Sequence, residues 1–459
     1  MPLEHVPPQA VLPVAERRAL GQQLRKVLPR SQHAVWQPPP ARRDPVELLL
    51  DNGRHLLSHL VPLRYHRMRE SAFAFLRGSA VIMAADLANT PAAGVLVQSC
   101  GDCHFANFGV FAASDGTAVF DVNDFDETLR APFEWDLKRL ATSFAVDARG
   151  RGLPDRTCRH LARVAAQAYR AQMSALATLD PLTAWHDRID LVDVLNRIDD
   201  PKLRARELKR LETATEAGRR GYPRLLHRRE GHWQIKPNPP VVVPLTGQMD
   251  DTHEIAARAA VDSYLTTVAP DIRLLLGRYR LADLAFKVVG VGSVGTFCVI
   301  ALFTTCEGAT LLLQVKEARA SVLAPYAGLG RYRNQGQRVV VGQRIMQRES
   351  DMFLGWTQDR ADDQYCYVRQ LKDPRLALVG SGLADHATPH YAMLCGVALA
   401  RAHARSGDAA RIAGYMGSGG VFDAAIADFA MAYAEQVERD YLLFLEAIKA
   451  GTLEAKDSA

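Results

Sequence analysis

The sequence lacks the features that would place the chain in a membrane, outside the cell or on a disulfide scaffold. Among its 459 residues, no apolar run reaches the roughly 18 residues of a membrane-spanning helix. The segment Met1 to Val14 is interrupted by prolines and has neither the basic start nor the apolar run of a signal peptide. The seven cysteines are scattered and odd in number, which fits reduced thiols. We therefore expect a cytoplasmic protein with no membrane partner.

A strong excess of one charge is also absent. The chain has 56 basic and 51 acidic residues, giving a net charge of +5, and the two signs are mixed along it. This balance does not favour nucleic-acid binding. Short basic stretches such as Arg64-Tyr-His-Arg67 are more typical of solvated surface than of phosphate-binding patches. With 48% hydrophobic residues, the chain can bury a large core divided between two or three domains.

Composition and periodicity divide the chain into five segments, and no internal repeat is present. The segments are an extended, proline-rich arm (1–44), a largely helical part (45–220), a proline-rich linker followed by a helix (221–269), a β-rich part (270–375) and C-terminal helices (385–450). Within the first helical part, Ser71 is expected to cap one helix that runs to Leu87. A short strand before Cys100 and another over Ala118–Val122 place residues 101–108 on a loop between strands.

That loop carries the spacing Asp102-x-His104-x-x-Asn107. Phosphoryl transfer needs a carboxylate that orients the acceptor hydroxyl, and oxygen ligands that hold a metal ion. The second strand ends in Asn-Asp124-Phe-Asp126, where charge is costly unless something binds it. We therefore predict that Asp102 and His104 are catalytic and that Asn107 and Asp124, with Asp126 helping, hold Mg²⁺. The alternative is a solvated acidic turn.

The same loop also contains the pattern Cys100-Gly-Asp-Cys103-His104. This is the spacing of haem c attachment, but the chain has no export signal and the pattern lies between buried strands. A zinc site would need a second pair of ligands, which the sequence does not offer. The two cysteines are interpreted as packing residues.

A second group of residues suits the binding of nucleotide phosphates. Gly290, Gly292 and Gly295, with Ser293 between them, are followed by β-branched and aromatic residues, which predicts a strand and so a hairpin. The hairpin is either a loop that covers phosphates or a plain turn. Lys316 lies in an apolar strand beyond it, where a kinase keeps the lysine that binds the α- and β-phosphates. The alternative is a lysine that reaches solvent along its stem.

Beyond these motifs, much of the chain resembles the bacterial domain-of-unknown-function 2252 family, from about residue 45 to about residue 450. The resemblance rests on the stretches Arg64–Met68, Phe73–Gly78, Gly101–Gly109, Asn123–Glu127, Pro132–Leu140, Gly290–Thr296, Gln314–Ala318 and Gln337–Val340. The family name implies no function.

Locally, the motifs are similar to the aminoglycoside and choline kinase branch of the protein-kinase-like fold. Its loop reads H-G-D-x-H-x-x-N, which Asp102, His104 and Asn107 match, its metal-binding aspartate matches Asp124, and its helix start matches Asp136-Leu137. The chain departs from this branch at Cys100, where the branch has histidine. The helix from Gln337 offers only Glu349 as an acidic partner for Lys316, and the two halves of the site come in reversed order.

The resemblance implies an α+β fold with a permuted, kinase-like, two-lobed core, in which a helical lobe joins a small antiparallel β lobe. It implies transfer of a phosphoryl group from ATP, with Mg²⁺, to an unknown hydroxyl-bearing substrate. Lys316 and the glycine loop, Gly290 to Gly295 with Ser293, would bind the nucleotide. The alternatives are a nucleotide-binding module without transfer, nucleotidyl transfer to protein, and a metal-dependent phosphohydrolase. The sequence identifies neither the acceptor nor the oligomeric state.

Overall fold

A computed structural model of the chain describes residues 12–113, 115–219, 222, 225–245, 251–288, 290, 294–328, 330–357, 365–371 and 388–457. Over these residues the protein is α+β, as the sequence predicts, and its sheets are small and antiparallel. No helix within these ranges combines the length and the apolar character that a membrane crossing requires.

The α-helices lie mainly in the first half and at the C-terminal end of the chain. In chain order they are α1 (Val14–Val27), α2 (Pro45–Gly53), α3 (Val61–Met68), α4 (Ala72–Gly78), α5 (Ala80–Leu87), α6 (Phe133–Gly150), α7 (Asp155–Leu176), α8 (Pro181–His186), α9 (Leu191–Asn196), α10 (Pro201–Arg219), α11 (Asp251–Leu265), α12 (Pro270–Leu276), α13 (Ala324–Ala327), α14 (Gln335–Met346), α15 (Thr388–Ala404), α16 (Ala409–Met416) and α17 (Val421–Lys449). Short 3₁₀ turns cover Arg30–Ala34, Ser58–Leu60 and Phe105–Asn107.

The strands form one larger sheet and three two-stranded ones. They are β1 (Leu96–Ser99), β2 (Phe108–Ala112), β3 (Ala118–Val122), β4 (Leu129–Pro132), β5 (Leu226–Arg229), β6 (His232–Ile235), β7 (Val242–Pro244), β8 (Arg280–Lys287), β9 (Cys298–Thr304), β10 (Thr310–Ala318), β11 (Gly355–Trp356) and β12 (Tyr365–Gln370). The pairs are β1 with β4, β2 with β3 and β5 with β6, and the six-stranded sheet has the order β11-β12-β10-β9-β8-β7.

Among the four clusters of buried apolar side chains in the described residues, two form the main cores, and a third, smaller cluster lies on the six-stranded sheet. The larger core joins helices from the first half of the chain to the C-terminal helices, because α15 packs on α7 and α17 packs on both α6 and α7. A second core fills one face of the six-stranded sheet and the helices α11 and α12. Every residue of β9 is buried, as a central strand covered on both faces requires. The C-terminal segment therefore completes the helical body that begins near residue 45.

The helix predicted from Ser71 to Leu87 is present as two helices. The Ser71 side chain accepts a hydrogen bond from the Ala74 amide at 3.0 Å, which confirms it as the N-cap. The helix then ends at Gly78, and Ser79 breaks the backbone before α5 begins. The Gly78 carbonyl accepts a hydrogen bond from the Arg64 guanidinium at 2.7 Å. Arg64 of helix α3 therefore binds the backbone at the point where the two helices separate.

Two segment predictions were wrong. Residues 14–27 form α1, which packs on α16, although an extended arm was expected over 1–44. Gly21 lies so close to the α16 backbone that no side chain would fit there, so tertiary packing explains the helix in spite of the surrounding prolines. The proline-rich linker expected over 222–248 contains β5, β6 and β7, and β7 is the edge strand of the larger sheet. Prolines are tolerated at such an edge.

The segment between α1 and α2 is fixed by a buried ion cluster at Arg42. Its guanidinium donates to Asp86 at 2.8 and 2.9 Å and to Asp440 at 2.5 and 2.9 Å. The side chains of Asp86 and Asp440 are only 3% and 2% exposed. The cluster joins the N-terminal segment, α5 and α17.

Replacing Arg42 with alanine should lower the free energy of unfolding by about 3 kcal/mol or more, because two buried carboxylates lose their shared cation. Urea denaturation at pH 7 measures the loss. Arg43→Ala is the matched control, since Arg43 forms an exposed pair with Asp51 and its removal should leave the unfolding curve unchanged. Equal losses in the two variants would contradict this role of Arg42.

Candidate active site

The loop with the Asp102 motif is fixed to the start of helix α6. The Asp136 carboxylate, in the first turn of α6, accepts hydrogen bonds from the Cys100 amide at 2.8 Å and from the Gly101 amide at 3.0 Å. His403 Nε2 lies 3.1 Å from the same carboxylate, and its Nδ1 lies 2.9 Å from the Tyr169 hydroxyl. All these side chains are buried, so the loop backbone is fixed from beneath.

Asp102 is partly exposed on this loop, and its carboxylate contacts the side chains of Arg139 and His104. Arg139 of α6 donates to Asp102 Oδ1 through Nε at 2.7 Å and through Nη2, while Nη2 also donates to the Leu76 carbonyl at 2.9 Å. The sequence interpretation missed Arg139. The signal that could have identified it is its position among Leu137, Leu140 and Ala141, whose helical spacing is that of buried residues. A charged residue within such a pattern is buried only with a partner.

His104 is buried against Asp102 and the ring of Phe73. Its Nε2 lies 3.6 Å from Asp102 Oδ2, and the Phe73 ring meets it edge to face at a centroid distance of 6.1 Å. Burial lowers the pKa of His104 to about 3, so the imidazole is neutral at pH 7. His104 therefore contacts Asp102 as a neutral group.

A backbone hydrogen bond joins the loop to the acidic segment after β3. The Asn123 amide donates to the Asn107 carbonyl at 2.7 Å, and Asn107 Nδ2 donates to the Asp102 carbonyl at 2.8 Å. Burial alone would raise the pKa of Asp124, but the nearby charges of Lys316 and Arg369 outweigh it and lower that pKa below its usual value. Asp102 also acts electrostatically on Asp124, in the opposite direction. The structure thus brings Asp102, Asn107 and Asp124 together.

Lys316 reaches this acidic segment from the six-stranded sheet. It lies on β10 directly opposite Tyr367 of β12. The Lys316 ammonium forms an ion pair with Asp126 Oδ2, and the Tyr367 hydroxyl donates to Asp126 Oδ1 at 2.7 Å. Cross-strand neighbours project from the same face of a sheet, which is why both reach one carboxylate. The ion pair joins residues that are 190 positions apart in the sequence.

This ion pair answers a question that the sequence left open. The helix from Gln337 offered only Glu349 as an acidic partner for Lys316, but Glu349 lies beyond α14 and pairs with Arg348 at 3.0 Å and Arg188 at 3.4 Å. Burial would lower the pKa of Lys316, yet the carboxylates of Asp124 and Asp126 outweigh it and raise that pKa. Lys316 is therefore charged at neutral pH, although its side chain is only 2% exposed.

Helix α14 contributes in a different way, through Arg338. This buried guanidinium donates to the backbone carbonyls of Asp126 at 2.8 Å, of Thr128 at 2.5 Å and of Arg319 at 2.7 Å. It therefore fixes the acidic segment relative to the end of β10. On the β12 side, Arg369 donates to Gln314 Oε1 at 3.0 Å and reaches the Asn123 carbonyl at 3.5 Å.

The glycine loop connects β8 and β9 as an antiparallel hairpin, as the sequence predicts. Gly292 and Ser293 lie outside the described residues, whereas Gly290 and Gly295 lie within them. The Gly290 carbonyl accepts from Arg67 at 2.7 Å, and the Gly295 carbonyl accepts from the Leu57 amide at 2.8 Å. The described ends of the loop therefore contact the helical body near α3.

Arg64 corrects one sequence prediction, because it is buried and is not part of a solvated surface. It is 6% exposed and donates to the Val294 carbonyl of the glycine loop at 3.0 Å and to the Gly78 carbonyl at 2.7 Å. Its backbone partners explain how a charged group is accommodated there. The sequence of the basic stretch alone does not indicate this burial, because the backbone acceptors of Arg64 lie elsewhere in the chain.

A cleft opens between these elements, with an empty volume of about 620 Å³ that includes its open mouth. Asp102 contributes from the loop and Asp126 from the acidic segment, while Thr296 and Glu317 contribute from the β-rich part. The remaining lining residues are Asn52, Leu56, Arg64, Arg77, Gly78, Ala80, Val81, Glu127, Arg319, Ala320 and Val322.

Cys100 and Cys103 lie beneath the loop, next to Asp136. Their sulfur atoms and an Asp136 oxygen lie within 4.8 Å of one another. Burial raises the pKa of both thiols, that of Cys103 to about 11, so both are protonated at neutral pH. Asp136 already accepts two backbone hydrogen bonds. This environment supports the interpretation of the two cysteines as packing residues.

The loop requires glycine at position 101, where φ is +81° and a Cβ would overlap the Glu127 backbone oxygen. Gly116 has a similar φ of +83°, but a Cβ there would meet nothing within 4 Å. Gly101→Ala should therefore lower the free energy of unfolding by about 2 kcal/mol more than Gly116→Ala, the difference being the cost of the overlap. Urea denaturation of both variants measures it. Equal losses would show that the loop can move away from Glu127.

Comparison with known proteins gives one match. No curated protein and no solved structure matches the chain. A family model described as "Uncharacterized protein conserved in bacteria (DUF2252)" matches residues 55–447. Since this match covers most of the chain, including the Asp102 loop, the acidic segment and Lys316, the protein belongs to the DUF2252 family.

Proposed function

We propose that the protein is a phosphotransferase that uses ATP and Mg²⁺ and acts on a hydroxyl-bearing acceptor. One observation carries the proposal: Lys316 of the β-rich part meets Asp126, two residues beyond Asp124, at a cleft that Asp102 also lines. A glycine hairpin, a buried lysine and a catalytic carboxylate loop are the parts of a phosphoryl-transfer site.

The arrangement of the strands supports a kinase-like small lobe. The hairpin β8–β9 leads to β10 with its lysine, α14 follows, and β12 then pairs with β10 while β11 takes the edge. In the reversed chain order, the catalytic loop precedes this lobe. The C-terminal helices α15 and α17 pack back onto α6 and α7, which is the closeness in space that a permuted chain needs.

The residues present suit the nucleotide and its metal. Asp124 and Asn107 offer a carboxylate and an amide oxygen, the ligands that Mg²⁺ prefers, and bound Mg²⁺ would neutralise phosphate charge. Asn107 Nδ2 is engaged by the Asp102 carbonyl, which leaves Oδ1 as the atom for the metal. Lys316 and the amides of the Gly290 to Gly295 loop, with Ser293, would hold the phosphates. Asp126 forms an ion pair with Lys316, and its role as a metal ligand stays a prediction.

Asp102 would orient the acceptor and accept its proton. The acceptor oxygen would form a bond to the γ-phosphorus. The bond between that phosphorus and the oxygen that bridges it to the β-phosphorus would break, and ADP would leave. The hydroxyl proton passes to Asp102. Arg139 and neutral His104 position the carboxylate, and Lys316 offsets the charge that develops on the phosphoryl oxygens.

A second candidate is a nucleotide-binding module without transfer. Asp102 Oδ1 already accepts two hydrogen bonds from Arg139, so this oxygen of the carboxylate is engaged before any acceptor binds. The two candidates predict the same ATP binding but differ in turnover. Stabilisation of the fold by ATP with Mg²⁺, without release of ADP or transfer to any acceptor, would favour the module.

Asp124→Asn should reduce Mg²⁺-dependent ATP turnover by at least about 100-fold, since it removes one charge from the metal site with almost no change in volume. Release of ADP measures turnover, and an unfolding curve shows whether the fold is intact. Asp115→Asn, an equal change of charge in an exposed turn, is the control and should keep wild-type turnover. Unchanged turnover in Asp124→Asn would move the metal to Asp121 or Asp126, or exclude the mechanism.

Lys316→Ala should weaken ATP binding or raise the barrier to transfer by about 2 to 4 kcal/mol, the effect of losing a preorganised charge. Titration calorimetry measures binding and ADP release measures the rate. Lys236→Ala, an exposed lysine after β6, is the matched control and should behave as wild type. An intact fold with wild-type binding and rate in Lys316→Ala would remove the lysine from the nucleotide site.

A further inference from the structure

Two arginines face the cleft, and in the part of the chain that the structure describes neither forms a salt bridge within 4.0 Å. Arg77 lies near the end of α4 and Arg319 follows β10, and both line the cleft beside Asp102. The Arg77 guanidinium lies over the Phe73 ring, 5.9 Å from the ring centroid, and the charges of Asp102 and Asp124 act on it from a longer distance. Arg77 Nε is inaccessible to solvent and has no hydrogen-bond partner, while Arg319 makes only long contacts to Asn52, at 3.4 and 3.5 Å.

The neighbouring arginines differ, because their guanidinium groups donate hydrogen bonds to groups of the protein itself. Arg64 donates to two backbone carbonyls, Arg139 to Asp102 and the Leu76 carbonyl, and Arg338 to three carbonyls. Removing any of these would leave buried acceptors unpaired. Within the described residues, Arg77 instead lies over the Phe73 ring and Arg319 makes long contacts to Asn52, so neither guanidinium group holds a buried carbonyl or carboxylate.

The acidic groups of the cleft are already engaged. Asp126 is held by Lys316 and Tyr367, and Asp102 is held by Arg139. Glu127 accepts from the Val322 amide at 2.6 Å, and Glu317 accepts from the Phe297 amide at 2.9 Å. The cleft therefore presents two guanidinium groups to whatever enters it. Guanidinium groups match the geometry of phosphate and carboxylate oxygens.

We propose that Arg77 and Arg319 form an anion subsite that binds a phosphate or carboxylate group of the acceptor. The acceptor class is then a small hydroxyl compound that carries such a group; this assignment to the acceptor rests on the proposed phosphotransfer. The position supports it, because the two arginines share their cleft with Asp102, which orients the acceptor, whereas Lys316 and Asp124 are not among the described residues that line it.

Binding of inorganic phosphate to the full-length protein tests the subsite. Phosphate affinity is measured by titration calorimetry at constant ionic strength for the wild type, Arg77→Gln, Arg319→Gln and the control Arg69→Gln, an exposed arginine between α3 and α4. Either cleft variant should bind phosphate about tenfold or more weakly, since each loses a charge-assisted contact. Arg69→Gln should match the wild type. If Arg77→Gln fails to fold, Arg319→Gln carries the same comparison.

Nucleotide titrations separate the two sources of phosphate. We expect the affinity for ATP with Mg²⁺ to stay within about twofold of wild type in Arg77→Gln, because a twofold change is well below the effect of one lost charged contact. A parallel loss of phosphate and ATP affinity would assign the arginines to the nucleotide and overturn the subsite. Equal phosphate affinity in Arg77→Gln and Arg69→Gln, or no phosphate binding by the wild type, would also overturn it. Phosphate binding that depends on Arg77, in a wild type that does not bind ATP, would keep the subsite and refute the phosphotransferase.

Discussion

The ammonium of Lys316 and the carboxylate of Asp126 meet where the six-stranded sheet touches the acidic segment after β3, and the candidate site is organised around their contact. A lysine with a side chain only 2% exposed needs an anion beside it, because burial alone would drive the proton off. Asp124 and Asp126 supply that anion, and Lys316 in turn stabilises their charges. Without the pair, the buried ammonium would lose the carboxylate that lies against it, which is a costly change for a buried charge. The ion pair thus joins β10 to the acidic segment after β3, which is distant from it in the sequence.

Much of this could be predicted from short stretches of sequence. Alternation of apolar residues and glycine turns identified β8, β9, β10 and the hairpin between them, since strand patterns are local. The position of Asp102 on a loop, and of Asp124 after a buried strand, follows from the same reasoning. Ser71 acts as an N-cap because its hydroxyl bonds an amide three residues on, a contact that sequence spacing alone determines.

What the sequence did not show depends on long-range contacts. The sequence left the acidic partner of Lys316 open, because that partner, Asp126, comes from 190 positions earlier. Arg42 and α1 lie in a segment whose prolines suggest an extended arm, yet Asp86, Asp440 and the α16 backbone fix them in place. Arg64 looks like a surface residue until the glycine loop and Gly78 supply its acceptors. Each case is a charge whose partner is distant in sequence.

We propose that the Asp102 loop and the glycine loop form one nucleotide site, and amide hydrogen exchange can follow both loops in one experiment. Exchange is followed by mass spectrometry with and without ATP and Mg²⁺, in peptides that cover residues 101–107 and residues 286–298. We expect slower exchange in both segments on addition of the nucleotide, because binding orders the groups that contact it. Protection of only one segment, or of neither while ATP is bound, would contradict a shared site.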